Sequence, residues 1–318
     1  MRLKKLTRRI LLMTGLTYFF APFIGHAKDL PMHETYSTAK NQSITVAGTR
    51  YAYRKLGAAT GVPLVLLTHT RGNMDTWDPD LVDSLAKKRP VIAFDYKGTG
   101  LTGGKAADSF AEMADDTFAF IKVLDINQVD LLGFSIGGAV AQELLIRHPG
   151  LVRRAILAGT SAKGGEGVNN LSERSKSVTT NSKLNAEDFL YAFFAPSPSS
   201  QKMGRAYLER IKRRTADNDV DSSPQSLKAQ TKARSDWGQP QETPDERLRN
   251  VNIPVLVANG KDDIRMPTIN SYRLFQMLPK AQLILYPDSG HGFLFQYPEL
   301  CGNNFSTFLD QAEISDRE

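Results

Sequence analysis

Along this chain, short apolar runs alternate with stretches in which apolar residues recur every three to four positions. Residues 64–68 (LVLLT), 91–94 (VIAF), 129–134 (VDLLGF), 154–157, 254–258 and 282–285 are mostly apolar, the pattern of strands covered on both faces of a parallel sheet. Residues 79–88, 110–124, 136–148, 268–278 and 299–311 carry helical spacing between or after them. Upstream, 43–46 and 51–55 are short strands separated at Gly48, which predicts a hairpin. Regular alternation of this kind predicts an α/β fold, an open and mostly parallel doubly wound sheet flanked by helices. No internal repeat interrupts it.

The interval 163–249 breaks the rhythm. It opens with Gly and Ser and then carries helical patterns near 185–194, 201–214 and 224–237, with no convincing strand. An all-helical insertion before the last two strands predicts a cap over the ends of the sheet. The expected organisation is therefore a core at 28–162 and 250–318 and a helical cap at 163–249. Connections this long are rarely structureless in a compact protein.

Composition changes the picture mainly at the N-terminus. The chain has 318 residues, is 41% hydrophobic and has a net charge of +6, which fits a packed core and excludes a wholly disordered chain. Five of those charges, Arg2, Lys4, Lys5, Arg8 and Arg9, lie in 1–27, which contains no acid. A cationic start, an apolar stretch from Ile10 to Ile24 and the small residues Gly25 and Ala27 read as a secretory signal cleaved after Ala27. The expected location is the bacterial periplasm or outside the cell, with an uncleaved membrane anchor as second choice. Thr7-Arg8-Arg9-Ile10-Leu11 also resembles a twin-arginine pattern, and the general and twin-arginine routes both stay open. Without 1–27 the chain is nearly neutral, so nucleic acid is not an expected partner. Cys301 has no second Cys to pair with.

The candidate chemistry begins at Gly133-Phe134-Ser135-Ile136-Gly137. This G-x-S-x-G sits where a strand meets a helix, so Ser135 would occupy a sharp turn with glycines clearing both sides, at the N-terminal amides of the helix. The Ile136 N–H could then hold an oxyanion. A serine hydroxyl needs a base, and the base needs an orienting acid. In this architecture the base follows the serine in sequence, and of the five histidines only His291 lies far enough downstream. His148 ends a helix and is expected to interact with its dipole. The acid should follow the strand at 254–258, where Asp262 and Asp263 both stand; Asp263 is chosen, with Asp262 the alternative.

HTRGN at 69–73, DYKGTG at 95–100, GFSIGG at 133–138, the G-x-x-D-x-x-x-P of Gly260, Asp263 and Pro267, and SGHG at 289–292 together resemble the α/β-hydrolase fold superfamily. Within it, they resemble the haloperoxidase, enol-lactonase and small-esterase branch. The resemblance runs from about Gln42 to Leu309 and is least diagnostic in the cap. It implies a serine hydrolase of a carboxylic ester or lactone, needing no cofactor, with Ser135, Asp263 and His291 as catalytic residues; with the signal at 1–27, an exported one is expected. It implies an oxyanion hole from the amides of Ile136 and Arg71, although relatives usually carry Gly where this chain has Thr70. It leaves open a cofactor-free perhydrolase, a carbon–carbon bond hydrolase and a small-molecule receptor of the same fold. Ser at 135 argues against relatives that use a carboxylate nucleophile.

His69, Trp77, Phe194, Trp237 and Phe293 are expected around the substrate, with His69 organising its loop rather than acting as a second base. The aromatic residues predict a small-molecule substrate with an apolar portion. Residues 202–234 hold nine basic residues against four acidic ones, which suits a solvated helical face or a preference for anionic substrates. The G-x-G-x-x-G from Gly98 to Gly103 follows a strand but opens no helix, so it is not expected to bind a dinucleotide. No His or Cys spacing suggests a metal. The sequence sets no oligomeric state.

Overall fold

The computed structural model describes residues 34–181, 185–242 and 245–312, so the expected signal at 1–27 lies outside the described residues. Strands β1 (Gln42–Val46) and β2 (Thr49–Gly57) form an antiparallel hairpin. Its two-residue turn, Ala47 and Gly48, has φ of 45° and 81°, the mirror-image conformation that matches the twist of paired strands. The other strands are β3 (Leu64–Leu67), β4 (Pro90–Phe94), β5 (Val129–Phe134), β6 (Val152–Ala158), β7 (Val255–Gly260) and β8 (Ala281–Tyr286). They form an eight-stranded sheet in the order β1-β2-β4-β3-β5-β6-β7-β8. Every pairing from β4 to β8 is parallel, and β2 runs antiparallel to both of its neighbours.

Strand side chains alternate between two cores. Leu64 and Leu66 face one apolar cluster, Val65 and Leu67 the other. Helices α1 (Pro79–Ala86) and α10 (Pro298–Leu309) cover the first face. Helices α2 (Phe110–Val123), α3 (Ile136–Arg147) and α8 (Ile269–Met277) cover the second. With both faces covered, β3 to β7 are buried almost throughout, which is why their sequences are continuous apolar runs.

Between β6 and β7 the chain forms α4 (Glu173–Thr180), α5 (Ala186–Phe193), α6 (Pro198–Ile211) and α7 (Pro224–Trp237). The sequence pattern does not predict α4, because ERSKSVTT shows no apolar stripe. It starts on Ser172, whose side chain accepts the Ser175 N–H, and buries Ser175, Val178 and Thr179. A four-residue helix, α9 (Phe293–Gln296), was likewise not expected.

The inserted helices hold the loops at the C-terminal ends of the strands. Tyr207 donates to the Thr76 carbonyl at 2.9 Å, Ser226 to the Gly98 carbonyl at 2.5 Å and Ser200 to Gln296 at 2.6 Å. Arg210 of α6 makes a buried ion pair with Asp78 at 2.6 Å. Ligand sites in open α/β sheets lie at that edge.

Candidate active site

Ser135 stands between β5 and α3 with φ 59° and ψ −120°, a conformation that costs energy for any residue bearing a Cβ. Two close approaches enforce it. A Cβ on Gly133 would strike the Gly137 carbonyl oxygen, and one on Gly137 would strike that of Leu67 at the end of β3. The turn is fixed further by the Ser135 N–H, which donates to the Ala158 carbonyl at 2.9 Å. Ile136 is the first residue of α3, and the N–H of a first helical residue has no intrahelical acceptor. A serine hydroxyl and an amide donor thus share one turn.

Asp263 lies in the loop after β7. The N–H groups of Arg265 and Met266 donate to its Oδ1 at 2.8 and 2.9 Å, and its Oδ2 is 2.7 Å from His291 Nδ1. Both side chains are buried. The His291 loop is pressed onto the same backbone: Asp262 N–H donates to the Ser289 carbonyl at 2.8 Å, and a Cβ on Gly260 would strike the Gly290 carbonyl. Asp262 itself is exposed. The His291 ring lies 4.9 Å from the ring of Phe134, the residue before Ser135, and 5.1 Å from that of Phe193. With Nδ1–H donated to the carboxylate, Nε2 carries the lone pair, and it is buried without a hydrogen-bond partner among the described residues.

His69, in the loop after β3, is also buried, and its Nδ1–H donates to the Thr70 carbonyl at 2.8 Å. Burial, offset in part by that bond and reinforced by the charge of Arg265, pushes it down to about 3, so it is neutral at physiological pH. Its ring stands edge-on to Phe134, Phe193 and Phe295 at 5.3 to 6.3 Å. These rings, with His291, form one apolar aromatic cluster.

The other residues expected around the substrate are distributed differently. Arg71 has φ 72°, and its N–H donates to Gln230 Oε1 on α7 at 2.8 Å. Trp77 is buried 6.5 Å from Phe134. Phe194 packs on Phe189 and Tyr207, and Phe293 stacks on Tyr286 at 5.0 Å. Trp237 packs edge-on against Phe110 on the opposite face of the sheet, with its Nε1–H on the Ser161 carbonyl. The rings in contact with the two histidines are Phe134, Phe193 and Phe295, and Phe194, Phe293 and Trp237 pack on other rings.

Sequence reasoning did not single out Gln230, Arg234 or Arg265. Gln230 and Arg234 lie one turn apart on the buried side of α7, and Arg265 is buried two residues after Asp263. The spacing of 230, 234 and 237 was the available signal, but polar residues turned inward do not register as an apolar stripe.

The alpha/beta hydrolase fold family model matches residues 63–298. A solved structure of an alpha/beta hydrolase fold protein from Chitinophaga pinensis has a TM-score of 0.82 and 40% identity, covering 88% of this chain and 100% of that one. A Mycobacterium tuberculosis protein whose name marks it as a candidate non-heme bromoperoxidase, BpoC, is 29% identical over 254 residues, 76% of this chain and 90% of its own. The enol-lactonase from Burkholderia xenovorans LB400 shares the fold, with a TM-score of 0.69 at 18% identity over 85% of this chain and 100% of that one.

Proposed function

This chain belongs to the alpha/beta hydrolase fold family, and on that premise we propose that it hydrolyses a carboxylic ester or lactone with Ser135 as nucleophile, His291 as base and Asp263 as orienting acid. The observation that carries the proposal is the 2.7 Å bond from His291 Nδ1 to Asp263, which leaves a bare Nε2 in the cluster that also contains Phe134, next to Ser135.

Ser135 Oγ attacks the acyl carbonyl while its proton passes to His291 Nε2, and the imidazolium is stabilised by Asp263. The oxyanion is held by the Ile136 N–H and by the Arg71 N–H, on which the substrate oxygen replaces Gln230 Oε1. Collapse breaks the ester bond, and His291 returns the proton to the leaving alkoxide. Water deprotonated by His291 then attacks the acyl-enzyme, freeing the acid and restoring Ser135.

A fluorophosphonate probe tests the nucleophile: wild type is labelled and Ser135→Ala is not. An unlabelled wild type overturns the assignment. A panel of p-nitrophenyl esters and lactones tests the bond, and labelling without turnover across the panel would favour a receptor. We also propose that residues 1–27 direct export, on the pattern of a cationic start, an apolar stretch and small residues before the cleavage point. N-terminal sequencing of the periplasmic fraction should begin at Lys28.

A further inference from the structure

Resting on that reading of Ser135, we propose that Arg234 and Arg265 form an anion-recognition subsite, so that the ester or lactone this protein cleaves carries a carboxylate in its acyl portion. Both arginines are at least nine-tenths buried. Arg265 follows Asp263 by two residues, and its guanidinium carbon lies 5.7 Å from the centre of the Phe193 ring, which is itself 5.1 Å from His291. Arg234 is one turn beyond Gln230 on α7, the residue that reaches the Arg71 N–H. The two cations are close enough that Arg234 lowers the affinity of Arg265 for its proton, after the larger effect of burial and against the smaller pull of Asp263.

Both arginines lack an acid within 4.0 Å among the described residues. Arg54, Arg89, Arg210 and Arg214 are equally buried, and each has an Asp within 4.0 Å. Six of the nine basic residues in 202–234 also have acidic partners, at Arg205, Arg210, Lys212, Arg213, Arg214 and Lys232. Lys202 and Lys228 are solvated on the surface. Among the described residues neither Arg234 nor Arg265 has a carboxylate within 4.0 Å, and the one acid whose charge acts on Arg265 is Asp263, which is bonded to His291. Arg234 donates to the Val168 carbonyl at 2.7 Å, and its Nε is buried with no partner. Arg265 donates to the Ser175 carbonyl at 2.7 Å and its hydroxyl at 3.2 Å.

Carbonyls satisfy hydrogen bonds without neutralising the charge, and Asp263 offsets that of Arg265 only in part, so the buried positive charge stays costly. At neutral pH Arg265 remains a cation, since burial brings it down only to about 10. A substrate carboxylate offers what is missing: negative charge and acceptors for the remaining guanidinium donors. The aromatic rings beside the histidines would take the apolar part of the same acyl chain.

The test compares mono-4-nitrophenyl glutarate with its neutral methyl 4-nitrophenyl counterpart. Wild type should cleave the anionic ester with at least tenfold higher kcat/KM. Arg234→Gln and Arg265→Gln should each lower that value by roughly 10- to 100-fold, with less than a threefold change on the neutral ester and with fluorophosphonate labelling retained. Equal rates on the two esters in wild type, or a parallel fall on both in the variants, overturns the subsite; two arginines that only tie the inserted helices to the core would give the parallel fall. Should a variant not fold, inhibition of the wild type by glutarate against dimethyl glutarate reads the same site: competitive inhibition by the dianion alone supports it, and equal inhibition overturns it. An unlabelled wild type overturns the Ser135 reading itself, whereas labelled enzyme that does not distinguish the esters overturns the subsite alone.

Discussion

Gln230 Oε1 accepts the Arg71 N–H at 2.8 Å, so a side-chain amide oxygen from α7 sits on the backbone donor proposed to hold the oxyanion. Gln230 is buried, and its Nε2 has no partner among the described residues. A substrate carbonyl has to compete with that oxygen. A neutral hydrogen bond contributes about 0.5–1.5 kcal/mol net, so Gln230→Ala should lower KM for a small neutral ester by roughly 2- to 10-fold. Gln230→Glu should act the other way, because a carboxylate accepts the same N–H more strongly. Steady-state kinetics on p-nitrophenyl acetate separate the cases, and an unchanged KM in both variants would show that the contact does not compete.

Asp263 divides its two oxygens between backbone and His291, and that division fixes what Asp263→Asn should do. The remaining oxygen is held by the Arg265 and Met266 N–H groups, which turns the new NH2 group toward His291 Nδ1. Two donors cannot face each other, so the ring proton moves to Nε2 and the base is lost. A fall in kcat of about 10³- to 10⁴-fold is expected, the size found when this tautomer is reversed in a serine protease triad, with unchanged circular dichroism. Asp262→Asn, on an exposed side chain, should leave kcat within twofold; a large loss there would reassign the acid.

The buried strands were legible because burial on both faces leaves no polar alternation to confuse. The pairing of His291 with an acid was legible for a related reason: only one histidine stands far enough beyond Ser135, and both candidate acids follow a strand, but which of Asp262 and Asp263 faces the ring is decided only by the fold. The aromatic wall was less so. Phe193 and Phe194 are adjacent, and nothing local says that Phe193 stands against His291 while Phe194 packs on Tyr207. Helix α4 was missed because it buries mainly Ser and Thr. Arg265 depends on Ser175, ninety residues away in sequence, and no local pattern records such a contact.

Asp95 and Asp219 meet where the segment between α6 and α7 lies on the loop after β3. Asp95 accepts the Met74 and Leu101 N–H groups at 3.0 Å, and Asp219 approaches the same Met74 N–H at 3.1 Å. Burial first, and then the charge of Asp219, raises the Asp95 carboxyl well above the ordinary range. A folded-state value above the unfolded one means that this pair favours folding most below about pH 4 and progressively less as pH rises through the folded value. Asp219→Asn removes the repulsion, keeps an acceptor for the Val220 N–H and places a donor toward Asp95, while the Met74 N–H loses Asp219 and keeps Asp95 Oδ1. The variant should have a higher Tm than wild type at pH 7.5, with the difference vanishing near pH 4. Equal melting temperatures at pH 7.5 would contradict the argument.

Arg210 anchors α6 to the sheet edge through two loops at once. Its Nε and Nη2 donate to Asp78 at 2.6 to 3.1 Å, and Nη2 also donates to the Phe295 carbonyl at 2.6 Å, behind the ring that faces His69. Asp78 caps α1 by accepting the Asp80 N–H at 3.0 Å, so its charge cannot turn toward solvent without releasing that helix. Burial already lifts the Asp78 carboxyl against the pull of Arg210. Arg210→Met keeps the packing volume and strands the carboxylate, which should cost about 3–5 kcal/mol at neutral pH and lower Tm on the order of 10 °C. Without Arg210 the Asp78 pKa rises further, so the deficit should shrink as pH falls and Asp78 takes up a proton. Asp78→Asn/Arg210→Met should lose less than the sum of the single variants, because the second change removes the charge that the first left unpaired. Denaturant unfolding at pH 7.5 and pH 5 measures all three, and strict additivity would show that the pair does not act as a unit.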